Sequence, residues 1–294
     1  MRVRFYGVRG STPTSGSSTV RYGGHTSCVE VRLADDTVLV FDCGTGLRHL
    51  GKDLMRDRHR GPYHFLLTHV HWDHVIGLPF FGPLWSKDTH IKLYPLANEI
   101  QQDCGTRRTL FDGIHFPVRA ADIPAHIEMI GNDGAPWRIG SAQVRRILLN
   151  HPGGSQGFRI DDADGSSFAY LTDNELSPPG PPTTPLDELA QFARRVDVMV
   201  HDAQYLAGDM PAKHGWGHST VDDVLRLGAR AETPHLILFH HEPDRDDDAL
   251  DVLGYQASEQ QSLQAPHTRV SIAHEGWSLD VGVGRASRRT PDSI

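Results

Sequence analysis

The chain reads as an α/β protein with one domain over residues 1–283. Three observations predict this. Strand-type runs come first, then a helix, then further strands, and finally strand and helix in alternation. Side chains suited to binding or catalysis recur just after those runs, and in α/β proteins ligands sit in the loops at the carboxyl ends of strands. The stiff stretch Ser177-Pro178-Pro179-Gly180-Pro181-Pro182 has such side chains on both sides, so it is a loop inside the domain and not a linker.

The elements follow in order. Val3–Val8, Cys28–Leu33 and Thr37–Phe41 are apolar or alternating and read as strands. A Ser-rich loop, Gly10–Ser18, and the turn signal Gly23-Gly24 separate the first two. Gly46–Arg56 is a helix with Leu47, Leu50 and Leu54 on one face. Tyr63–Leu67 and Ile91–Tyr94 are strands, and the segment from Ala97 to Gly131 reads as mixed helix and loop. Gln143–Leu149 and Ser167–Leu171 are strands, with Asp161-Asp162-Ala163-Asp164-Gly165 as the turn of a hairpin between them. The helix Leu186–Arg195 precedes the strand Val196–Val200. The helix Ser219–Leu227, with Ser219 or Thr220 as N-cap, precedes the strand His235–Phe239. Acidic Asp244–Asp248 reads as a solvated opening of a helix that runs to about Leu263, favoured by the helix dipole. Strands Arg269–Ala273 and Trp277–Val281 close the domain, and residues 284–294 read as a disordered tail.

Composition narrows the function classes. The formal net charge is -8, so the chain has no built-in attraction for a polyanion, and a nucleic-acid partner is disfavoured. Three scattered cysteines, Cys28, Cys43 and Cys104, give no disulfide framework and fit a reduced, cytoplasmic protein. The start, Met1-Arg2-Val3-Arg4-Phe5, is already a strand and carries no signal-peptide core, and no apolar run is long enough to span a bilayer.

Seven side chains carry the chemistry: His69, His71, Asp73, His74, His151, Asp173 and His240. The first four lie within His69-Val70-His71-Trp72-Asp73-His74. Imidazole and carboxylate at such spacing suit zinc or a similar first-row ion. His69 and His71 can face one ion while Asp73 and His74 face a second; two metals about 3.5–4 Å apart form a clamp for displacement at phosphorus or carbonyl. With 19 histidines in the chain, many serve elsewhere. His241 competes with His240, but strand alternation puts it on the other face. His214 reads as loop or substrate rim. His25, His115, His235 and His274 read as structural or solvated. Trp72 reads as packing or a pocket wall, with base stacking the less favoured role.

These residues resemble the metallo-β-lactamase superfamily. The match comprises His-x-His-x-Asp-His at 69–74, His151, Asp173 in Leu171-Thr172-Asp173, His240 after Leu236-Ile237-Leu238-Phe239, and Asp42-Cys43-Gly44. The resemblance implies an αββα sandwich of two packed mixed β-sheets with helices on the outer faces. It implies one metal on His69, His71 and His151, a second on Asp73, His74 and His240, and Asp173 bridging them. Asp42 would orient a ligand histidine through its ring N–H. The implied cofactor is two divalent ions, zinc first and manganese second. A second motif, Val200-His201-Asp202-Ala203-Gln204-Tyr205 followed by Gly217-His218-Ser219-Thr220, resembles the tRNA 3′-processing endoribonuclease branch and its small phosphodiesterase relatives. There His218, steered by Asp202, would assist the leaving group, with Asp202 standing where the family usually has Glu.

The tRNA-processing members carry a long arm, in many of them between the residues matching His151 and Asp173. Here that span is only a hairpin, and no basic stripe is present. The expectation is therefore a phosphodiesterase for a small diester such as a cyclic nucleotide, with Asp73, His218 and Asp202 as catalytic residues. The branch further implies a homodimer. The competing readings are an RNA 3′-end endoribonuclease and a non-catalytic metal-binding module.

Overall fold

In this computed structural model the described residues are 1–59, 61–96, 110–131 and 134–282. The tail expected to be disordered lies outside them, as does much of the segment from Ala97 expected to mix helix and loop.

Two seven-stranded sheets pack face to face. The first contains β1 (Arg2–Gly7), β2 (Cys28–Arg32), β3 (Val38–Phe41), β4 (Tyr63–Leu66), β5 (His90–Leu93), β6 (His126–Met129) and β14 (Ser278–Asp280), in the order β14-β1-β2-β3-β4-β5-β6. The second contains β7 (Trp137–Ile139), β8 (Ala142–Leu149), β9 (Ser155–Asp162), β10 (Ser167–Leu171), β11 (Val198–Asp202), β12 (His235–Phe239) and β13 (Arg269–Ile272), in the order β13-β12-β11-β10-β9-β8-β7. Each sheet is mixed. β3 to β6 run parallel in one, and β10 to β13 run parallel in the other.

Strands buried on both faces explain the continuous apolar runs. Phe41, Phe158, Phe168, Tyr170, Val200, Ile237 and Phe239 fill the space between the sheets. Their neighbours Val40, Met199, Leu236 and Leu238 point outward and are covered in turn. Helix α1 (Leu47–Arg56) lays Leu47, Leu50 and Leu54 on the first sheet, the face its spacing predicts. Helices α3 (Leu186–Phe192), α4 (Val221–Arg230) and α5 (Asp247–Gln264) cover the second, and a short helix α2 (Trp72–Val75) follows β4. The layers are thus α–β–β–α, as expected. Phe158 is fully buried, its ring centroid 5.5 Å from that of Phe41. Phe158→Ala is expected to cost about 3–5 kcal/mol, read as a lower midpoint in urea unfolding.

Three details depart from the sequence reading. Edge strands β6 and β7 were not expected; at four and three residues they are too short for their alternation to stand out from the surrounding loops, and β6 is largely exposed. β11 runs on to Asp202 instead of stopping at Val200, because His201 and Asp202 are buried with polar partners. The acidic run at Asp244–Asp248 is only partly a solvated helix start. Asp246 is the N-cap of α5, accepting from the Ala249 amide, but Asp247 is buried and accepts from the amides of Arg21 and Tyr22. The expected hairpin is present as β9–β10, turned at Gly165 with φ +83°, so the His151–Asp173 span carries no arm. No helix among the described residues is long and apolar enough to cross a membrane.

Candidate metal centre

The parallel strands of both sheets deliver their carboxyl ends to one place. Asp42 follows β3, His69 to His74 follow β4, Asp173 follows β10, and His240 follows β12. Asp42, Asp173 and His240 all have left-handed backbones, with φ of 58°, 60° and 58°. That conformation disfavours residues with a Cβ, and it persists where surrounding structure fixes it, commonly at functional sites.

All seven predicted ligand residues converge. His69, His71 and His151 form one group of donor atoms, and Asp73, His74, Asp173 and His240 form another, each with its donor atoms within 4.8 Å of one another. Asp173 lies between them. Its Oδ2 is 3.6 Å from His69 Nε2 and 3.8 Å from His151 Nε2, and its Oδ1 is 3.2 Å from His74 Nε2 and 3.3 Å from His240 Nε2. Asp73 Oδ2 is 3.2 Å from both His74 Nε2 and His240 Nε2. His71 Nδ1 is 3.0 Å from His151 Nε2.

The surrounding shell fixes which nitrogen each ring turns inward. His74 Nδ1 lies 2.9 Å from Asp42 Oδ2, His151 Nδ1 2.9 Å from the Gly217 carbonyl, and His240 Nδ1 2.9 Å from Gln204 Oε1. His69 Nδ1 lies 3.0 Å from Thr68 Oγ1, whose own hydroxyl donates to Asp42. Each Nδ1 thus meets an acceptor, and each Nε2 is aimed at its neighbours in the cluster. His74 Nε2 and His240 Nε2 lie 3.3 Å apart, close enough to share one cation. His69 Nε2 is buried with no hydrogen-bond partner among the described residues, which costs free energy unless a ligand takes it up. Five histidines, two carboxylates and an orphaned inner nitrogen form a donor set that fits divalent first-row metals.

Charge tells the same story. Burial opposes charge on His74, but Asp173, Asp73 and Asp42 outweigh it and hold the ring well above the ordinary histidine range. Burial and the neighbouring His74 push His69 well below that range, and burial brings His151 down to about 4. Burial would raise Asp173, but His240, His74 and His69 overcome it and keep the carboxylate ionised. Divalent cations would displace the proton on His74, so metal uptake releases a proton.

His218 stands beside this cluster. Its ring stacks on His240 with centroids 4.9 Å apart, and its Nδ1 is 3.1 Å from Asp202 Oδ2 and 4.0 Å from Asp173 Oδ2. The shorter carboxylate of Asp202 therefore does reach. It also accepts from the amides of Asn174 and Ser219, which fixes its orientation. Burial would discharge His218, but Asp202, then Asp173 and Asp73, reverse this and raise it above the usual range.

Several contributors escaped the sequence reading. Gln204 holds His240 and is itself oriented by Ser11 and Glu242. The Ser11 amide donates to Asp73 Oδ2. Thr68 and Tyr170 both donate to Asp42. Buried Glu175 accepts from the amides of Gly215 and Gly217, shaping the loop before His218. Thr68 and Gln204 were readable only as neighbours of motif residues, and Glu175 only as lying two places beyond Asp173. His241 instead bonds the Ala273 carbonyl, His214 Nε2 meets the Ser177 carbonyl, and His25 Nδ1 meets Thr45 Oγ1, so all three stand outside the ligand groups. Gly217 has φ +90°, and a Cβ there would stand 2.2 Å from His151 Nδ1. Gly217→Ala is expected to displace His151 and to weaken metal retention about 10–100-fold, measured by metal content after dialysis against a graded chelator.

A two-sheet sandwich with a buried His/Asp cluster across its strand ends defines a metal-dependent hydrolase. Residues 37–241 match the Beta-lactamase superfamily domain, and the chain belongs to that superfamily. Ribonuclease Z of Natronomonas pharaonis is 24% identical over 281 residues, covering 82% of this chain and 86% of the relative. The metallo-beta-lactamase fold protein YhfI of Bacillus subtilis superposes with a TM-score of 0.68 at 18% identity, covering 96% of this chain and 99% of that one. A diphosphatase of the PhnP family gives 0.64 at 18% identity, over 95% and 97%.

Proposed function

We propose that the protein is a dinuclear metal-dependent phosphodiesterase acting on a small phosphodiester, with a cyclic nucleotide as the favoured substrate. One ion would be held by His69, His71 and His151, the second by Asp73, His74 and His240, with Asp173 shared. Zinc suits this donor set best, and manganese is the alternative. The observation that carries the reading is the inward convergence of Nε2 from His69, His74, His151 and His240 around Asp173, with His218 alongside. Bound there, two divalent cations supply an activated water and neutralise charge on the phosphoryl oxygens.

The chain's own residues do the rest. Asp42, Gln204, Thr68 and the Gly217 carbonyl hold the imidazoles with Nε2 turned inward. The His218 imidazolium, held by Asp202 through Nδ1, has Nε2 free of protein partners among the described residues and can donate a proton to the departing alkoxide. The short β9–β10 hairpin and the net charge of -8 support a small substrate over a folded RNA.

The test is turnover of bis-p-nitrophenyl phosphate and of cyclic mono- and dinucleotides by protein loaded with zinc or manganese. His69→Ala should abolish it. Protein with two ions per chain that leaves every diester intact would overturn the reading and favour a non-catalytic metal module. A second reading, RNA 3′-end cleavage, is supported by relatives named Ribonuclease Z. It predicts processing of tRNA precursors with a steep salt dependence. The protein is further proposed to act as a cytoplasmic homodimer, checked by light scattering on the eluted protein and by fractionation.

A further inference from the structure

The chain has five tryptophans, and they divide into two kinds. Trp85 stacks on Phe116 and its Nε1 donates to the Pro79 carbonyl. Trp137 packs against Tyr94, and Trp277 stacks on Phe5 and His274. Trp72 and Trp216 differ. Trp72 is 66% exposed and Trp216 61%, and neither indole has a ring or hydrogen-bond partner among the described residues. Large exposed indoles are uncommon on a soluble surface unless they serve binding.

Their positions are specific. Trp72 is the first residue of α2 and directly follows His71, the N-cap of that helix. His71 Nδ1 is 3.0 Å from His151 Nε2, and His151 Nδ1 meets the carbonyl of Gly217, the neighbour of Trp216. The two tryptophans are thus the chain neighbours of the two ends of one contact series, His71–His151–Gly217, that runs through the metal cluster. The backbone that carries each is held in place. The Trp72 carbonyl accepts from Ile76 in the first turn of α2. The Trp216 amide donates to Lys213, and the amides on both sides of it, of Gly215 and Gly217, donate to Glu175.

We propose that Trp72 and Trp216 form a stacking platform for the base of a nucleoside phosphodiester. This rests on the phosphodiesterase reading and names the side chains that would hold the base of its favoured substrate class. The cluster takes phosphoryl oxygens and nothing flat. The indoles take a π-face and no charge. A nucleotide is the substrate that presents both groups to adjoining surfaces. Base stacking is tolerant of base identity, so the platform selects nucleotides over baseless diesters and discriminates little among bases.

The experiment is calorimetric titration of the metal-loaded protein with adenosine 5′-monophosphate and with ribose 5-phosphate, which share sugar and phosphate and differ in the base. The expected result is at least about tenfold tighter binding of the adenine compound. Trp72→Ala and Trp216→Ala should each cut that ratio about fivefold or more and leave ribose 5-phosphate binding unchanged, while Trp216→Phe keeps most of it. A ratio near one in the unaltered protein, or a ratio that survives both alanine substitutions, overturns the platform. Turnover of bis-p-nitrophenyl phosphate by the same sample separates the two claims. Turnover with a ratio near one leaves the hydrolase and removes the platform. A high ratio lost in the variants, without turnover, supports the platform and removes the hydrolase.

Discussion

Asp173→Asn is expected to reduce bound metal from two ions per chain to one at most, and to lower diester hydrolysis by at least about 10²–10³-fold, the loss that follows removal of one preorganised electrostatic group. Asn is close in size, so the effect isolates charge. Asp173 is nearly fully buried, and its two oxygens reach toward His69, His151, His74 and His240. An amide offers one weak acceptor and no charge to that group. The metal-free protein shows the other side of the same balance. Asp173 is the leading carboxylate that keeps His74 charged, so Asp173→Asn lowers the pH at which His74 loses its proton. Metal content by mass spectrometry and an NMR titration of ring protons read the two effects separately. Unchanged metal content in Asp173→Asn would remove the shared carboxylate from the scheme.

His218→Ala is expected to slow hydrolysis of diesters with alkoxide leaving groups by about 10²–10⁴-fold, the range for a positioned general acid, and to leave metal content unchanged. The loss should be much smaller with p-nitrophenolate, which departs without a proton. Asp202→Asn is the subtler variant. The acid form of His218 is the useful one, so activity is full below its pKa in the folded protein and falls as pH rises through it. Asp202 raises that pKa by hydrogen bond and charge, against burial. Its removal therefore moves the alkaline limb of kcat to lower pH. A limb that stays in place in Asp202→Asn, or equal losses for alkyl and nitrophenyl leaving groups in His218→Ala, would take the proton-donor role from His218.

Much of this centre is legible in the chain because strand-end chemistry and apolar runs are local features. His69 to His74 sit within six positions, and His240 follows four apolar residues, Leu236 to Phe239, that read as a buried strand. The paired sheets and outer helices follow from the same runs. Legibility fails where a polar residue is paid for by a distant partner. Asp202 extends β11 into the core because Asn174, Ser219 and His218 satisfy it. Asp247 is buried because the amides of Arg21 and Tyr22 reach it across more than two hundred residues. Gln204 and Glu175 orient the centre through contacts of the same long-range kind. Edge strand β6, mostly exposed, has no buried face to write itself into the sequence.

Neither layer of the sandwich owns a complete coordination set. The sheet holding β4 brings His69, His71, Asp73 and His74, while the other sheet brings His151, Asp173 and His240. Under the proposed assignment each cation is a rivet through both layers, and each rivet adds about 2.7 kcal/mol of resistance to unfolding at a hundred times its dissociation constant. Starving the protein of metal would then loosen the grip of one layer on the other at the end of the sandwich that carries the cluster, so supply of the ion would govern mechanical integrity as well as chemistry.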